Sequence, residues 1–353
     1  MPTKAYKDKN GKKKFYASFY FTDFTGQRKR KKKEGFTSSA AAKEYEKNFI
    51  DLHNGNSTII FKNLVEVYLA DCSQRLKPTT VYGKKAVLTT LILPFFENYP
   101  IAEISPLIVR KWQNEILKHG YKPTTLRSIH AQLAATLNFG VKYYGLKQNP
   151  AALAGSIGTL KPHYKIQFYT LEQFKKFLPF VDEKYKLPFK ILFFTGLRIG
   201  ELLALTIKDF DPKAGTLDIN KTLSNIHGIV QPPKTPKSKR IVTLPPFLIQ
   251  DIEDYIFFKF YEPQPSERLF YWFSFMALRK ASNRAAKQAG LPRLRIHDFR
   301  HSHASLLINL NFPPLAVSER LGHESVKTTL EIYSHLYPEQ ASNIAVKLDD
   351  FKI

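Results

Sequence analysis

Apolar and polar side chains alternate along residues 15–22, the period-two pattern of a β-strand with one buried face. Asn10-Gly11, before this stretch, is a strong signal for a tight hairpin turn, and Thr25-Gly26, after it, is a weaker one. Each turn returns the chain beside the same strand. The pattern therefore predicts a small antiparallel β-sheet near the start of the chain.

From residue 38 onward, apolar residues recur three and four positions apart, as on one face of a helix. Ser38 or Ser39 is predicted to cap the first helix, which completes a domain of residues 1–58. Residues 59–150 show the same amphipathic pattern and are predicted to form a helical bundle. Three of its helices are predicted to begin at Pro78, Pro106 and Pro123.

The stretch NPAALAGSIGTLKPHYK, residues 149–165, has no periodicity and is predicted to be a linker. A third domain, residues 165–353, is predicted to open with a helix capped by Thr170 and Gln173. Its helices are interrupted by three predicted strands, TLDINKT, GIVQ and KRIVTLP. The predicted fold class is multidomain α+β: a small N-terminal β-sheet with a helix, a helical bundle, and a mainly α domain with a small antiparallel sheet.

Composition adds a strong positive charge to this picture. The chain has 353 residues, 43% of them hydrophobic, and a formal net charge of +24. Such a chain is predicted to bind a polyanion, most often nucleic acid, the alternative being a merely soluble basic protein. Twelve Lys and Arg lie in residues 1–33, against two acids. The predicted DNA contacts there are Lys12, Lys13, Lys14, Arg28 and Arg30.

Two other interpretations of this basic segment remain open. It is also typical of a solvated basic face, and RKRKKK is similar to a nuclear localisation signal. The single cysteine, Cys72, excludes an internal disulfide and fits a reducing cytoplasm. The first residues lack the apolar core of a signal peptide, and runs such as TTLILPFF are too short to cross a bilayer, so no membrane partner is predicted.

Candidate catalytic residues lie in four places in the third domain. In TGLRIGELLAL, Arg198 and Glu201 are three apart and are predicted to share a helix face, where an ordinary ion pair is the alternative. The loop PPKTPKSK is predicted to be a hairpin whose lysines reach DNA or remain solvated. In RIHDFRHSHASLL, His297 and Arg300 are predicted to share a helix face.

The fourth place is LGHESVKTTLEIYSH, where His323 precedes Tyr333 by ten residues. Tyr333 is either a core aromatic residue or a nucleophile. His301 and His303 are predicted to help pack their helix. His297 and His301 have the i, i+4 spacing of metal ligands, but no third ligand lies near them in the sequence, so no metal site is predicted.

The motif residues follow one another along the chain in a characteristic order: Arg198, a hairpin lysine, His297-x-x-Arg300, Leu321-Gly322-His323 and Tyr333. This order resembles the tyrosine recombinase (phage integrase) family, and HDFRHSHAS and LGHESVKTTLEIY are close to its usual wording. The resemblance implies a catalytic domain over residues 165–340. It also implies that residues 59–150 are a core-binding domain and residues 1–58 an arm-type DNA-binding domain.

The implied reaction is DNA cleavage and rejoining without a metal, ATP or any other cofactor. Tyr333 is expected to attack a phosphodiester, which gives a 3′-phosphotyrosine and a free 5′-hydroxyl. Arg198 and Arg300 are expected to hold the phosphate, because a guanidinium donates paired hydrogen bonds and stays charged. His323 is expected to donate a further hydrogen bond to the same oxygens.

Proton transfer is expected to involve two further residues. His297 is expected to accept the tyrosine proton or to orient it. Lys234 is expected to protonate the leaving 5′-oxygen, and Lys237 and Lys239 remain alternatives for that role. Glu201 is expected to orient Arg or His side chains, because a bare carboxylate beside the phosphate would repel it.

The resemblance implies integration and excision of a prophage or other mobile element in a bacterial cytoplasm, at the nucleoid when bound. The implied partners are double-stranded DNA at core and arm sites, a homotetramer on that DNA, and an excisionase or a host DNA-bending protein. The alternatives are a Xer-like resolvase or invertase, a topoisomerase, a non-catalytic DNA-binding regulator and a metal-dependent nuclease. Loss of Tyr333 or of either arginine would have favoured the regulator.

Overall fold

The computed structural model describes seven ranges of the chain: 4–7, 11–22, 28–53, 57–159, 166–225, 228–233 and 235–336. The chain divides into two compact units, residues 1–163 and 164–353. None of the helices in the described ranges combines the length and the apolar character needed to span a bilayer.

The first unit opens with the predicted antiparallel sheet. Its elements are β1 (Lys4–Lys7), β2 (Lys13–Thr22), β3 (Arg28–Phe36) and α1 (Ser39–His53), and the strand order is β1-β2-β3. Ala17 and Phe19 of β2 are buried against Ala42 of α1, as the alternation predicts. The hydroxyl of Ser38 accepts a hydrogen bond from the backbone nitrogen of Ala41, which makes Ser38 the cap. Both predicted turns include residues outside the described ranges.

A helical bundle follows in the same unit. Its helices are α2 (Phe61–Arg75), α3 (Pro78–Val87), α4 (Leu93–Phe96), α5 (Pro106–Lys118), α6 (Pro123–Tyr143) and α7 (Pro150–Ala154), with a π-helical turn (Leu88–Ile92) and a 3-10 turn (Ile101–Glu103) between them. The three predicted proline starts are confirmed. The Ser105 hydroxyl caps α5 by accepting from the backbone nitrogen of Ile108. Trp112 lies at the centre of the apolar core, 1% exposed.

The predicted linker is wrong for residues 149–159. Asn149 begins α7, because its side-chain oxygen accepts a hydrogen bond from the backbone nitrogen of Ala151. Ala151 and Ile157 are buried in the core of the helical bundle. Gly158 lies so close to the backbone of Pro123 that a side chain at this position would collide with it. This stretch therefore packs as part of the bundle.

The second unit is mainly helical with two small antiparallel sheets, in agreement with the predicted fold class. Its helices are α8 (Leu171–Phe177), α9 (Glu183–Thr195), α10 (Ile199–Ala204), α11 (Pro246–Lys259), α12 (Phe275–Gln288), α13 (Asp298–Asn309), α14 (Pro314–Leu321) and α15 (Val326–Tyr333). Its strands are β4 (Phe210–Asp211), β5 (Thr216–Ile219), β6 (Thr222–Leu223), β7 (Val230–Gln231) and β8 (Arg240–Thr243). The sheets are β4-β5-β8 and β6-β7. The predicted capping box of Thr170 and Gln173 opens α8.

Helix α13 runs through the core of this unit and positions the site. Phe299 contacts the rings of Tyr169, Phe177 and Phe189, with centroids 5.2–6.0 Å apart. The backbone nitrogen of Tyr169 also donates to the hydroxyl of Ser302. These contacts fix the rotation of α13, so the polar residues on its other side have defined positions.

Candidate active site

Arg198 is placed by a tight turn between α9 and α10. Helix α9 ends at Thr195, and Gly196 follows in the left-handed conformation, with φ +67°. The prediction that Arg198 and Glu201 share a helix face is wrong, because Arg198 precedes α10 as its cap residue. The Glu201 carboxylate instead accepts from the Arg198 backbone nitrogen at 2.9 Å and from its Nη1 at 2.7 Å.

Glu201 is also held by a second arginine, Arg240, which no motif in the sequence marks. Arg240, on β8, donates from Nη2 to Glu201 Oε2 at 3.0 Å, and both side chains are almost fully buried. Burial opposes ionisation of Glu201, but Arg240 and then Arg198 outweigh it and hold the pKa of Glu201 below its ordinary value. Glu201 is therefore a carboxylate that fixes one side of the Arg198 guanidinium.

Arg300 joins two of the predicted motifs. Its side chain is buried on α13, and it donates from Nη1 to the backbone oxygen of Gly196 at 2.9 Å and from Nη2 to that of Leu321 at 2.6 Å. Burial and the nearby Arg198 lower the pKa of Arg300 from its ordinary value. The second effect is the repulsion between the positive charges of Arg198 and Arg300.

His323 follows Gly322, which ends α14 in the left-handed conformation with φ +68°. The His323 Nδ1 lies 2.8 Å from the hydroxyl of Thr329. Burial, followed by Arg300 and Arg198, lowers the pKa of His323 to about 3. The ring is therefore neutral at pH 7, and its Nε2 has no hydrogen-bond partner among the described residues.

Tyr333 ends α15 and is only 1% exposed. Its hydroxyl lies 2.7 Å from Nδ1 of His301, and burial raises the pKa of Tyr333 above its ordinary value. The sequence predicts His297 beside the tyrosine hydroxyl and His301 as a packing residue. The structure places His301 against the hydroxyl instead. The spacing within RHSHAS gave no signal for this contact, because the partner lies 32 residues away.

The other two histidines of this region have different surroundings. His303 is buried, with Nδ1 2.9 Å from the backbone oxygen of Phe193 and with Nε2 accepting from Arg320 Nε at 3.0 Å, so it packs the helix as predicted. His297 is exposed at the start of α13, with its ring centroid 5.4 Å from that of His301. Within the described ranges, no three His, Cys, Asp or Glu side chains gather as a metal site would require.

The lysines of the loop between β7 and β8 are only partly described. Lys234 lies outside the described residues. Lys237 donates from Nζ to the backbone oxygen of Glu324 at 3.0 Å, next to His323, and Lys239 is exposed. The predicted hairpin is wrong, because β7 pairs with β6 while β8 pairs with β5, so this loop joins strands of two different sheets. The loop contacts the segment that carries His323, and the choice among the three lysines stays a prediction.

The predicted DNA contacts of the N-terminal sheet fall on different sides. The surface opposite α1, here called the open face, consists of Lys14, Tyr16, Ser18, Tyr20, Arg28, Arg30 and Lys32. On it, Arg28 lies over the Tyr20 ring at 4.7 Å, and Arg30 Nε donates to the Ser18 hydroxyl at 3.1 Å. Lys13 lies on the helix side, over Phe15, and Lys12 precedes β2.

Family models match three successive parts of the chain. The model "Phage integrase family" matches residues 167–340. "Phage integrase, N-terminal SAM-like domain" matches residues 60–117, and "Arm DNA-binding domain" matches residues 5–51.

Alignments with similar proteins cover most of the chain. ICEBs1 integrase of Bacillus subtilis (strain 168) is 29% identical, and the match covers 97% of this chain and 98% of that protein. A putative prophage phiRv2 integrase of Mycobacterium tuberculosis is 26% identical, covering 77% and 74%.

Solved structures show that the fold is shared. The Tn1549 transposon integrase in complex with a circular intermediate DNA has a TM-score of 0.68 at 19% identity, covering 83% of this chain and 99% of that one. A lambda integrase dimer bound to a COC′ core site has a TM-score of 0.60 at 16% identity, covering 96% and 95%. The chain belongs to the phage integrase family of tyrosine recombinases, as shown by the three family matches, by the similarity to ICEBs1 integrase over nearly the whole chain, and by the order of Arg198, His297, Arg300, His323 and Tyr333.

Proposed function

We propose that this chain integrates and excises a mobile element by cutting and rejoining DNA through a 3′-phosphotyrosine at Tyr333. The observation that carries the proposal is the position of Arg300. Its guanidinium bonds the backbone oxygens of Gly196 and Leu321, 104 and 21 residues away in the sequence. It thereby joins the turn that precedes Arg198 to the turn that precedes His323.

The cationic region formed by Arg198 and Arg300 suits a phosphodiester. Arg198 keeps 38% of its side chain exposed although Glu201 holds one side of it, so part of its guanidinium remains available to DNA. The pentavalent phosphate of the transition state concentrates negative charge on its non-bridging oxygens, and fixed guanidinium groups stabilise that charge without reorganisation. We assign the Nε2 of His323 and the exposed ring of His297 to the same phosphate.

Departure of the 5′-oxygen requires a proton donor. We assign this role to Lys234, and Lys237 and Lys239 remain the alternatives. Lys237 donates to the backbone oxygen of Glu324, so it would have to leave this contact to act on DNA. Lys239 is already exposed.

Three DNA-binding parts are proposed: residues 1–58 for arm sites, residues 59–150 for the core site, and residues 165–353 for catalysis. The open face of the N-terminal sheet supports the first assignment, because it carries the cations Arg28, Arg30 and Lys14. The polar side chains of Tyr16, Ser18 and Tyr20 lie beside them and are exposed or half-buried. Linking the parts raises the effective concentration at a second site on the same DNA.

The proposed assembly is a homotetramer on DNA in the bacterial cytoplasm, associated with the nucleoid when bound. An excisionase or a host DNA-bending protein is proposed as an accessory partner. Four chains allow two DNA duplexes to be cut at two core sites, and the phosphotyrosine conserves the bond energy for rejoining.

A nicked duplex that carries the end of the element tests the proposal. The nick releases a short 5′-hydroxyl fragment after cleavage, so the covalent complex accumulates and survives denaturant. The complex should form in the presence of a chelator with the native chain and with Tyr261→Phe, which alters a tyrosine that is 93% exposed. Tyr333→Phe should form none. A complex of normal yield from Tyr333→Phe would refute the assignment of the nucleophile.

A further inference from the structure

The hydroxyl of Tyr333 and the Nδ1 of His301 form a buried contact between α15 and α13. The two atoms are 2.7 Å apart, and the rings meet edge to face with centroids 5.6 Å apart. Tyr333 is 1% exposed and His301 is 8% exposed. We propose that His301 is the catalytic base that receives the proton of Tyr333 when its oxygen attacks the DNA phosphate. This inference rests on the proposed function.

The direction of the hydrogen bond follows from the chemistry of the two groups. A phenol hydroxyl is a stronger donor than acceptor, and an imidazole nitrogen without hydrogen is a good acceptor. Because burial raises the pKa of Tyr333, the hydroxyl keeps its proton at neutral pH and cannot attack as a ready phenolate. The attack therefore needs an acceptor beside the oxygen, and the Nδ1 of His301 already lies at hydrogen-bond distance.

The other described histidine side chains of this region are placed less well for this role. His297 is exposed at the start of α13, and its ring makes no hydrogen bond to a described residue. The Nδ1 of His323 is engaged by Thr329. Both ring nitrogens of His303 are engaged, by the backbone of Phe193 and by Arg320. Of these four rings, that of His301 is the one in contact with the nucleophile.

Burial, together with the surrounding charges, favours the neutral form of the His301 ring. Burial lowers the pKa of His301, Asp298 raises it, and Arg295 and Arg300 lower it again, with a net decrease. The titratable or charged groups that face His301 are His297, Asp298 and Arg300 on its own helix, Arg295 before that helix, His323 in the next loop, and Tyr333 on α15. A bound phosphate adds negative charge beside Arg300 and raises the affinity of the ring for a proton.

The step balances without any further reactant. The Tyr333 O–H bond breaks and its proton passes to His301 Nδ1, while the tyrosine oxygen forms its bond to phosphorus. The bond from phosphorus to the 5′-oxygen breaks, and that oxygen takes a proton from the lysine proposed as its donor, Lys234. In rejoining, the 5′-hydroxyl returns a proton to the lysine, and the His301 imidazolium returns its proton to the departing Tyr333 oxygen.

The test compares His301→Asn with His297→Asn in single-turnover cleavage of the nicked duplex between pH 5.5 and 8. The Asn side chain places an oxygen near the position of Nδ1, so it accepts a hydrogen bond but does not titrate in this range. Cleavage by the native chain should rise with pH as the base loses its proton. His301→Asn should cleave about 10²–10⁴-fold more slowly at pH 7.5, without that rise. His297→Asn should keep the rise.

A more acidic nucleophile separates base catalysis from packing. Replacing Tyr333 by 3-fluorotyrosine lowers the pKa of the phenol, so less help is needed to remove its proton. The substitution should restore part of the rate lost in His301→Asn and little of any rate lost in His297→Asn. Folding by circular dichroism should match the native chain in both variants, and DNA binding by gel shift should match it in His301→Asn.

Three results would overturn the inference. They are native-like cleavage by His301→Asn, an unchanged pH dependence in that variant, and the absence of rescue by 3-fluorotyrosine. None of these three results contradicts the proposed function if the native chain still forms the covalent complex and Tyr333→Phe does not. If the native chain forms none, the proposed function fails with it.

Discussion

Gly196→Ala should destabilise the catalytic unit and slow cleavage, because this turn both packs the site and positions Arg300. Gly196 has φ +67°, and a side-chain carbon there would lie 2.7 Å from Leu321 Cδ2 and 2.8 Å from His303 Cδ2. His303 cannot yield easily, since Phe193 and Arg320 hold both of its ring nitrogens.

Gly290→Ala is the matched control. Gly290 lies in the same unit with φ +63°, but no atom lies within 4 Å of an added side-chain carbon. The left-handed conformation costs each variant about 1–2 kcal/mol. The lost chain entropy of the unfolded state affects both variants equally. Overpacking adds about 1–3 kcal/mol at Gly196 alone, and that range is the expected difference between the two variants.

Urea unfolding, monitored by hydrogen exchange in peptides from α9 and α13, measures the difference in stability between the two variants within the catalytic unit. Cleavage of the nicked duplex should also slow in Gly196→Ala, because the Gly196 backbone oxygen that accepts from Arg300 is displaced. Gly290→Ala should cleave at the native rate. Equal loss of stability in the two variants would refute the close packing, and native cleavage by Gly196→Ala would refute its link to Arg300.

Three further predictions follow from other contacts. Arg240→Gln should destabilise the catalytic unit by about 3 kcal/mol and slow cleavage, because it leaves the buried Glu201 carboxylate without this partner. A double-mutant cycle with Glu201→Gln should give a coupling energy of about 1–3 kcal/mol. Additive losses of stability in the double variant would contradict the pairing. Arg30→Ala should reduce the slope of log affinity for arm DNA against log salt by about 1, whereas Lys31→Ala, whose side chain lies over Phe49, should leave the slope unchanged. Burial and then Arg320 lower the pKa of His303 to about 3, so below about pH 6.5 the unfolded chain binds a proton at this residue that the folded chain does not. The free energy of unfolding should therefore fall by about 1.4 kcal/mol for each pH unit below about 6.5 through this residue. Urea titrations should show a flatter pH dependence in His303→Gln.

Local patterns predicted the elements well. The alternation in residues 15–22 became β2, and Pro78, Pro106 and Pro123 each begin a helix. Period-two alternation and proline starts depend on neighbouring residues alone, so a single sequence displays them.

Local sequence patterns did not predict the features that depend on tertiary contacts. Helix α7 has five residues, too few to display a helical period, and the burial of Ile157 depends on packing against the bundle. Arg240 meets Glu201 across 39 residues, and His301 meets Tyr333 across 32. No local spacing encodes such pairs, because they arise only when distant strands and helices pack together.

The most direct test of the central claim maps the DNA attachment by mass spectrometry. The covalent complex from the nicked duplex is digested with nuclease and trypsin, and the peptide of residues 328–347 is fragmented. This peptide contains two tyrosines, Tyr333 and Tyr337, so the fragments distinguish the two attachment sites. The account predicts a nucleotide linked through a 3′-phosphate to Tyr333. A nucleotide on Tyr337, or on any residue outside this peptide, would contradict it.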